Sequence, residues 1–339
     1  MKEVAEEAGV SVSTVSRALR NDPLVSRETC ELVRKAAEKV GYKPNPYVST
    51  LMTQVRSSRP IPFKAVIALI DTLPTVTYWK DYAVQRKFHE GAEKQSKRLG
   101  YRLERFWASE PDMSRQRLSQ MLASRGIRGV LIPPFKDYSL RGEDMPVEYD
   151  RFACVTLGCR AVSPGFHFAS NDQYATSFFA HKKLKKLGYE RIGLVLPGFL
   201  EEIVEQRFSA GFWAALEQKP QGSLPASILL YDLKTGAQEF ADWVEKFKPD
   251  AVCSVVPEVR DWVTDLGFKV PDDLGLVTLD WEECQGDWSG INQDSALVGK
   301  ASVDLLVQML QRNELGVPER PYGIMTEGFW VDGQTSIQQ

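Results

Sequence analysis

Apolar residues recur with a helical period in the first twenty residues. A first stripe of small side chains lies on one face of a short helix, at Val4, Ala5 and Ala8. Gly9 follows this stripe, and a glycine there is typical of a helix that ends in the left-handed conformation. Ser11 is placed to cap a second helix over residues 12–20, whose predicted inward face consists of Val15, Ala18 and Leu19. The predicted outward face is polar and consists of Ser13, Thr14, Ser16 and Arg17.

A third helical stripe follows Ser26, which is placed as its N-cap, and stops before Gly41. Its apolar positions are Leu32, Val33, Ala36, Ala37 and Val40. Two short helices joined by a glycine-containing turn are the arrangement of a helix-turn-helix, whose second helix enters the major groove of DNA. The same periodicity fits a helical cap without a DNA role, so the pattern alone leaves both interpretations open.

From residue 63 onward, short β-rich apolar runs alternate with helical stretches. The predicted strands are 65–70, 102–107, 129–132, 191–196, 228–231 and 251–256. The predicted helices are 80–99, 114–124, 205–217 and 237–247. This alternation predicts parallel sheets covered by helices, and its restart at residue 191 predicts a second, similar lobe. Two such lobes form a cleft at the carboxyl ends of their strands, where parallel sheets bind ligands.

Acidic and aromatic residues lie near the predicted strand ends that would face this cleft. Asp71 follows the first strand, Tyr78 and Trp79 come shortly after it, and Trp281 lies far along the chain. An aromatic ring can stack on the apolar face of a sugar, while a carboxylate accepts hydrogen bonds from the sugar hydroxyl groups. These residues favour carbohydrate binding, and packing in the core or an interface is the alternative for both tryptophans.

The composition fits a globular protein of two or three domains in the cytoplasm. The 339 residues are 43% hydrophobic and 26% charged; no apolar run is long enough to cross a bilayer, and no secretion leader opens the sequence. Five scattered cysteines without zinc or disulfide spacing predict reduced, mostly buried thiols: Cys30, Cys154, Cys159, Cys253 and Cys284.

The net charge of −3 conceals an uneven distribution of charge along the chain. Residues 1–60 hold 10 Lys and Arg against 7 Asp and Glu, a net charge of +3, which leaves −6 for the rest and is compatible with DNA binding by the head.

Several sequence segments in the first 45 residues resemble those of a known family. They are Val4-Ala5-Glu6-Glu7-Ala8-Gly9-Val10-Ser11, Thr14-Val15-Ser16-Arg17-Ala18-Leu19, Val25-Ser26, Gly41-Tyr42 and Pro44-Asn45. Together they resemble the headpiece of LacI/GalR-family regulators. The resemblance implies that Val12, Ser13 and Arg17 read bases, with Arg17 able to bind a guanine edge through two hydrogen bonds. The contacts that it implies with the DNA backbone are those of Ser11, Thr14, Ser16, Ser26, Thr29, Tyr42 and Asn45.

The same resemblance continues into residues 44–59, which correspond to the family's hinge. Residues 47–55 could form two turns of helix, too few to be stable alone, so this helix is expected to fold on DNA. Family hinge helices pair across a dimer and insert a leucine into the minor groove, and Leu51 occupies that position here. Val48-Ser49 stands where the family has Ala-Arg, so the polar contacts in the groove are expected to differ. An ordinary linker with an incidental leucine is the alternative. The family usually has residues before the first helix, so the natural start is expected upstream of Met1.

Four phrases of the body resemble the family's type I periplasmic-binding-protein-like core: 126–131, 187–193, 207–212 and 271–277. The resemblance implies effector contacts for Arg207 and Asp280, while Pro257-Glu258 departs from the family and makes Glu258 a weaker candidate. The predicted architecture is an all-α three-helix headpiece (1–43), a hinge helix and linker (44–59) and an α/β effector-binding and dimerisation domain (60–339). Its N-lobe is predicted over about 62–170 and 290–321, and its C-lobe over about 171–287 and 322–339.

The sequence carries none of the motifs of a P-loop, a dinucleotide site, a zinc protease or a nucleophile elbow. The three histidines, His89, His167 and His181, have no motif around them and are expected on solvated surface or helices. An enzyme or a free binding protein is therefore disfavoured. We predict a cytoplasmic transcription regulator that binds double-stranded, pseudo-palindromic operator DNA as a homodimer, with no cofactor, metal or membrane partner. Repression and a carbohydrate effector are the first expectations; activation or a non-sugar effector is the alternative.

Overall fold

The computed structural model describes residues 2–19, 24–40, 64–72, 83–133, 145–161, 163–216 and 225–339. The predicted hinge with Leu51 lies outside these ranges, as do Tyr42, Asn45, Tyr78 and Trp79. Within the described ranges, no helix is both long enough and apolar enough to span a membrane.

Three short helices form the amino-terminal bundle: α1 (Lys2–Ala8), α2 (Val12–Ala18) and α3 (Arg27–Lys39). Gly9 has φ +62°, the left-handed conformation predicted after α1. Ser11 and Ser26 precede α2 and α3 as predicted, and each hydroxyl accepts a hydrogen bond from the backbone N–H three residues later. One small core holds the bundle together and consists of Val4, Ala5, Ala8, Val15, Ala18, Cys30, Val33, Ala36 and Ala37.

Two details of this bundle differ from the sequence prediction. Helix α2 ends at Ala18, with Leu19 as its C-cap, two residues earlier than predicted. Leu32 was assigned to the apolar stripe of α3, but its side chain is 49% exposed. One residue along a helix turns about 100° around its axis, so Leu32 points away from the line through Cys30 and Val33. The buried stripe is narrower than predicted because only two short helices cover α3.

The rest of the described chain forms two six-stranded sheets, as the restarting pattern predicts. The first sheet runs, in spatial order, through β11 (Gly323–Thr326), β5 (His167–Asn171), β4 (Ala153–Leu157), β3 (Gly129–Ile132), β1 (Ala65–Asp71) and β2 (Tyr101–Trp107). The second sheet runs through β12 (Phe329–Val331), β10 (Ser289–Asn292), β9 (Gly275–Thr278), β8 (Ala251–Ser254), β6 (Ile192–Pro197) and β7 (Ile228–Tyr231). Neighbouring strands are parallel except for the β10–β12 pair. The carboxyl ends of the parallel strands therefore gather at one end of each sheet.

Helices cover the sheets and divide the body into two lobes. The helices of the first lobe are α4 (Ala83–Arg98), α5 (Arg115–Ser124) and α11 (Ser295–Arg312). Those of the second lobe are α6 (Gln173–Lys186), α7 (Gly198–Ile203), α8 (Arg207–Ala215), α9 (Gly236–Phe247) and α10 (Val259–Asp265). Alternate residues of β1 face different cores: Ala68 and Ile70 pack on one side of the sheet, while Ile67 and Leu69 pack on the other. Each sheet is therefore the middle layer of its lobe.

The strand pairing moves the predicted lobe boundaries. Strand β10 pairs with β9 and β12 of the second sheet, although residues from 290 were predicted in the N-lobe. Strand β11 pairs with β5 of the first sheet, although residues from 322 were predicted in the C-lobe. The chain thus passes between the two sheets after β5, after β10 and after β11. A linear pattern of apolar residues does not contain these pairings, which depend on contacts between distant segments.

Two glycines bring α4 and α11 into close contact. A Cβ atom on Gly91 would overlap the carbonyl group of Ala296, and a Cβ atom on Gly299 would overlap the carbonyl group of Phe88. Backbones approach this closely only where a side chain is absent. Helix α11, which follows β10 of the second sheet in sequence, is thereby fixed against the first lobe.

The cysteines match the sequence prediction, and the histidines match it only in part. Four of the five free thiols are buried and Cys284 is exposed. Burial, aided by the nearby Glu205 carboxylate, raises the pKa of Cys159 to about 12, so this thiol stays protonated at neutral pH. His89 and His181 lie on helices as expected, but His167 lies on β5 and is 3% exposed. Its Nδ1 accepts a hydrogen bond of 3.1 Å from the backbone N–H of Tyr322, and the two rings lie in contact with their centroids 4.1 Å apart.

Candidate functional site

The amino-terminal end of α2 carries a network of hydroxyl groups. The Ser11 hydroxyl lies 2.7 Å from the Ser13 hydroxyl and 2.8 Å from the Thr14 hydroxyl, and it accepts a hydrogen bond of 3.1 Å from the Thr14 N–H. Ser11 and Ser13 are exposed, and Thr14 is half-buried. The cap that begins the helix therefore also holds three polar side chains together at its surface.

The predicted base-reading residues lie on the outer surface of the same helix. Val12 is 43% exposed, and Ser13 and Arg17 are exposed as well. Val15 and Ala18, between and beyond them in sequence, are fully buried. The structure thus places Val12, Ser13 and Arg17 outside the core, which is the condition for contact with a DNA groove. The side chain of Ser16 lies outside the described part of the molecule.

A second pair of hydroxyl groups lies at the start of α3. The Ser26 hydroxyl lies 2.8 Å from the Thr29 hydroxyl and accepts a hydrogen bond of 3.2 Å from the Thr29 N–H. At the other end of α3, Lys39 and Glu7 of α1 form an ion pair of 2.7 Å. The start of α3 is thus a capped helix end with hydroxyl donors, and such ends can bind phosphate oxygens.

In the body, Asp71 ends β1 and pairs with Arg105 of the neighbouring strand. The carboxylate is 5% exposed and accepts a hydrogen bond from the Arg105 guanidinium group. Burial lowers the pKa of Arg105, and the Asp71 charge opposes this effect. The ion pair fixes the carboxyl ends of two strands, so Asp71 has a structural partner besides any ligand.

Asp280 lies two residues after β9, and none of the described residues pairs with its carboxyl group as Arg105 pairs with Asp71. Its backbone N–H donates to the Thr278 hydroxyl over 3.2 Å, but its carboxyl group makes no hydrogen bond to any residue that the structure describes. Burial, followed by the charge of Glu282, raises the pKa of Asp280 to about 7. A desolvated carboxyl group without a partner is a typical feature of a ligand-binding position.

Trp281 is anchored in the core of the second lobe. Its indole N–H donates to the Trp288 carbonyl over 3.0 Å, and its backbone N–H donates to the Ile291 carbonyl over 2.8 Å. The ring packs against the buried cluster that includes Trp288 and Val259. These contacts favour the packing alternative for Trp281. Glu258, the weaker candidate, precedes α10 at the N-cap position without a side-chain capping bond.

Arg207 begins α8 and lines a crevice between the two lobes. The crevice is narrow in this structure, with a volume of about 10 Å³. Its lining residues are Cys159, Arg160, Phe168, Ser170, Gln173, Ile203, Val204, Glu205, Arg207 and Met325. Arg207 donates to the Met325 sulfur over 3.5 Å, and its Nε lies 4.0 Å from a Glu205 oxygen. Glu205 in turn forms an ion pair with Arg160 of the first lobe.

The structure brings Arg207 together with residues that the sequence did not indicate. Arg160 follows β4, and Met325 lies on β11, 118 positions after Arg207 in the chain. No motif marks either one, because their proximity depends on the passage of the chain between lobes. Asp71, Asp280 and Trp281 are not among the residues that line this crevice.

Two family models match the chain. Residues 1–45 match the model described as bacterial regulatory proteins, lacI family, and residues 181–335 match the periplasmic binding protein-like domain.

Similar curated proteins cover nearly the whole chain. The HTH-type transcriptional repressor PurR of Mannheimia succiniciproducens is 23% identical over 335 residues, which cover 93% of this chain and 92% of PurR. The HTH-type transcriptional regulator MalR of Streptococcus pneumoniae is 26% identical over 327 residues, which cover 93% of each chain. The regulator GalS of Salmonella typhimurium is 49% identical over 55 residues, 16% of each chain.

Solved structures share the fold of the whole chain. The transcriptional regulator CelR–cellobiose complex superposes with a TM-score of 0.64 at 18% identity and covers 99% of both chains. The lac repressor dimer bound to operator and the anti-inducer ONPF superposes with a TM-score of 0.58 at 18% identity and covers 98% of both chains. The predicted combination of a helix-turn-helix head and a two-lobed α/β body is thereby confirmed.

Proposed function

Because this chain belongs to the LacI family of bacterial regulatory proteins, we propose that it represses transcription as a homodimer on a pseudo-palindromic operator, under the control of a carbohydrate effector. At the coarser level, the chain is a DNA-binding transcription regulator with a periplasmic-binding-protein-like domain, and it is not an enzyme. Repression draws support from relatives such as PurR, whose name describes a repressor. A role at DNA places its action in the bacterial cytoplasm, at the nucleoid.

The observation that carries the proposal is the exposed polar face of α2 on a chain that also contains a two-lobed body. Val12, Ser13 and Arg17 read bases in the major groove, and the Arg17 guanidinium group binds one guanine. Hydroxyl groups at the starts of α2 and α3 bind phosphates and fix the register of the head on DNA. Leu51 of the hinge acts as the minor-groove wedge at the centre of the operator.

The effector binds in the cleft between the lobes. Asp280 accepts hydrogen bonds from effector hydroxyl groups, which would satisfy a carboxylate that has no other partner among the described residues. Arg207 donates to effector oxygens from the second lobe. A carbohydrate suits this pair of groups, and the cellobiose complex of CelR supports the same class of ligand. Closure of the lobes around the effector shifts the dimer between two arrangements with different affinity for DNA.

Selection of bound duplexes from a randomised DNA pool tests the DNA part of the proposal. The expected product is a motif of two half-sites related by a two-fold axis. Recovery of a single half-site would contradict the homodimer, and failure to enrich any sequence would contradict specific binding.

A thermal-shift screen against sugars, sugar acids and sugar phosphates tests the effector part. A ligand that binds only the folded protein raises its melting temperature, so a hit identifies the effector class. If no carbohydrate raises the melting temperature but another metabolite does, the result would contradict a carbohydrate effector and support the non-sugar alternative. Reporter expression from the selected operator then separates repression from activation.

A further inference from the structure

We propose that Glu205 is a positioning residue that interacts with both lobes, through Arg160 of the first lobe and Arg207 of the second. Glu205 thereby couples closure of the lobes to the binding of an effector at Arg207. The inference rests on the proposed function only where it assigns Arg207 to the effector. The ion pair between the lobes is independent of that assignment.

The backbone of residues 204–207 is built to present this carboxylate. Glu205 and Gln206 have φ +56° and +60°, two successive left-handed residues that both carry a Cβ atom. This conformation is unfavourable for side-chain-bearing residues and persists only where neighbouring contacts impose it. Here the Gln206 N–H donates to the Glu201 carbonyl over 2.7 Å, and the Arg207 N–H donates to the Val204 carbonyl over 3.2 Å. The resulting turn separates α7 from α8 and directs Glu205 toward the first lobe.

Each oxygen of the Glu205 carboxylate has its own cation. One oxygen accepts a hydrogen bond from Arg160, which follows β4 of the first lobe. The other oxygen lies 4.0 Å from Nε of Arg207. Arg207 also touches the first lobe, since it donates to the sulfur of Met325 on β11. Three charged side chains from two lobes therefore meet at one crevice.

This arrangement differs from an ordinary surface ion pair in what it joins. A half-exposed pair within one rigid body changes stability only slightly. The pair between Arg160 and Glu205 joins two bodies, so a rotation that separates the lobes breaks it. The ion pair therefore stabilises the closed arrangement and not the open one. This contribution to the free-energy difference between the two arrangements shifts their populations.

Occupancy of Arg207 changes how Glu205 is shared. When an effector oxygen accepts hydrogen bonds from Arg207, the Arg207 guanidinium group interacts less strongly with the Glu205 carboxylate. The carboxylate then interacts more completely with Arg160, which stabilises closure. By reciprocity, closure strengthens effector binding by the same factor.

Solution scattering of the effector-free full chain tests the interlobe pair. The variants are Arg160→Gln, Glu205→Gln, the double variant, and Arg160→Lys, which keeps the charge. Both single glutamine variants are expected to increase the radius of gyration, the double variant to add nothing further, and Arg160→Lys to stay close to wild type. Arg260→Gln is the matched control, because Arg260 pairs with Asp287 over 2.7 Å inside the second lobe. Unchanged radii in the single variants, or additive increases in the double variant, would overturn the coupling.

Cellobiose serves as the probe for the effector side. If cellobiose raises the melting temperature of the wild type, Glu205→Gln and Arg160→Gln are expected to need about two- to fivefold more for the same rise. Arg260→Gln should respond like wild type. Equal sensitivity of all variants would contradict the positioning role of Glu205. If no sugar stabilises the wild type, the carbohydrate proposal fails, while the scattering comparison still decides the interlobe pair.

Discussion

Replacement of Asp280 by Asn is expected to stabilise the protein at neutral and alkaline pH. The carboxyl group is mostly buried, and its pKa is raised to about 7 from 3.8. Well below pH 3.8 it is protonated in both the folded and the unfolded chain, so it costs no stability there. As the pH rises from 4 to 7, the unfolded chain releases the proton first and gains stability relative to the folded chain. Above pH 7 the full cost is present, at most about 4 kcal/mol and closer to 2 kcal/mol where solvent reaches the carboxylate.

Urea unfolding of wild type and Asp280→Asn at pH 4, 6 and 8 measures this difference. The free energy of unfolding of the variant is expected to exceed that of wild type by about 2 to 4 kcal/mol at pH 8, and by much less at pH 4. Asp272→Asn, which removes an exposed carboxylate of the same lobe, is the control and should show no comparable rise. A difference between wild type and Asp280→Asn that stays constant across this range would refute the argument from desolvation.

Three further outcomes are expected. Arg17→Ala should weaken operator binding by about 1 to 3 kcal/mol and relax the preference at one base pair per half-site, as measured on a set of single-base operator variants. The control Arg27→Ala should leave that preference intact, and an equal loss on every sequence would show that Arg17 does not read a base. Ser26→Ala should lower the stability of the head by about 1 kcal/mol in thermal unfolding, because the Thr29 N–H loses its acceptor; an unchanged melting curve would contradict the capping role. Arg207→Ala should abolish the effector response in a DNA-binding titration and leave binding without effector nearly intact, whereas loss of DNA binding itself would make Arg207 structural.

Much of the fold follows from local signals in the sequence. Ser11 and Ser26 mark the starts of α2 and α3 because a hydroxyl group can satisfy a backbone N–H that the helix leaves open. The strands over 129–132 and 228–231 were predicted with their observed bounds, because short apolar runs between turn signals suit the middle layer of a parallel sheet.

What the sequence does not contain is the pairing of distant segments. Strands β10 and β11 each join a lobe by pairing with another strand, β9 and β5 respectively, and the sequence pattern does not show these partners. His167 was expected in a solvated or helical position, and it is buried because β5 lies between β4 and β11 of the first sheet and Tyr322 packs against the His167 ring. The ion pair of Arg160 and Glu205 had no local signal either, since the partners lie 45 positions apart in the chain and no motif surrounds them. The predicted DNA contacts could be named from the sequence because those residues belong to one continuous motif.

The passage of the chain between the sheets also fixes the order in which the protein can be completed during synthesis. The three helices of the head need only the first forty residues, so the head can fold soon after it leaves the ribosome. The first sheet receives β11 only at residues 323–326, and the second receives β12 only at residues 329–331. A chain whose translation stops early would therefore carry a finished head and two unfinished lobes. Such a product could reach DNA without the means to respond to an effector, and the incomplete sheet edges would expose it to proteolytic removal.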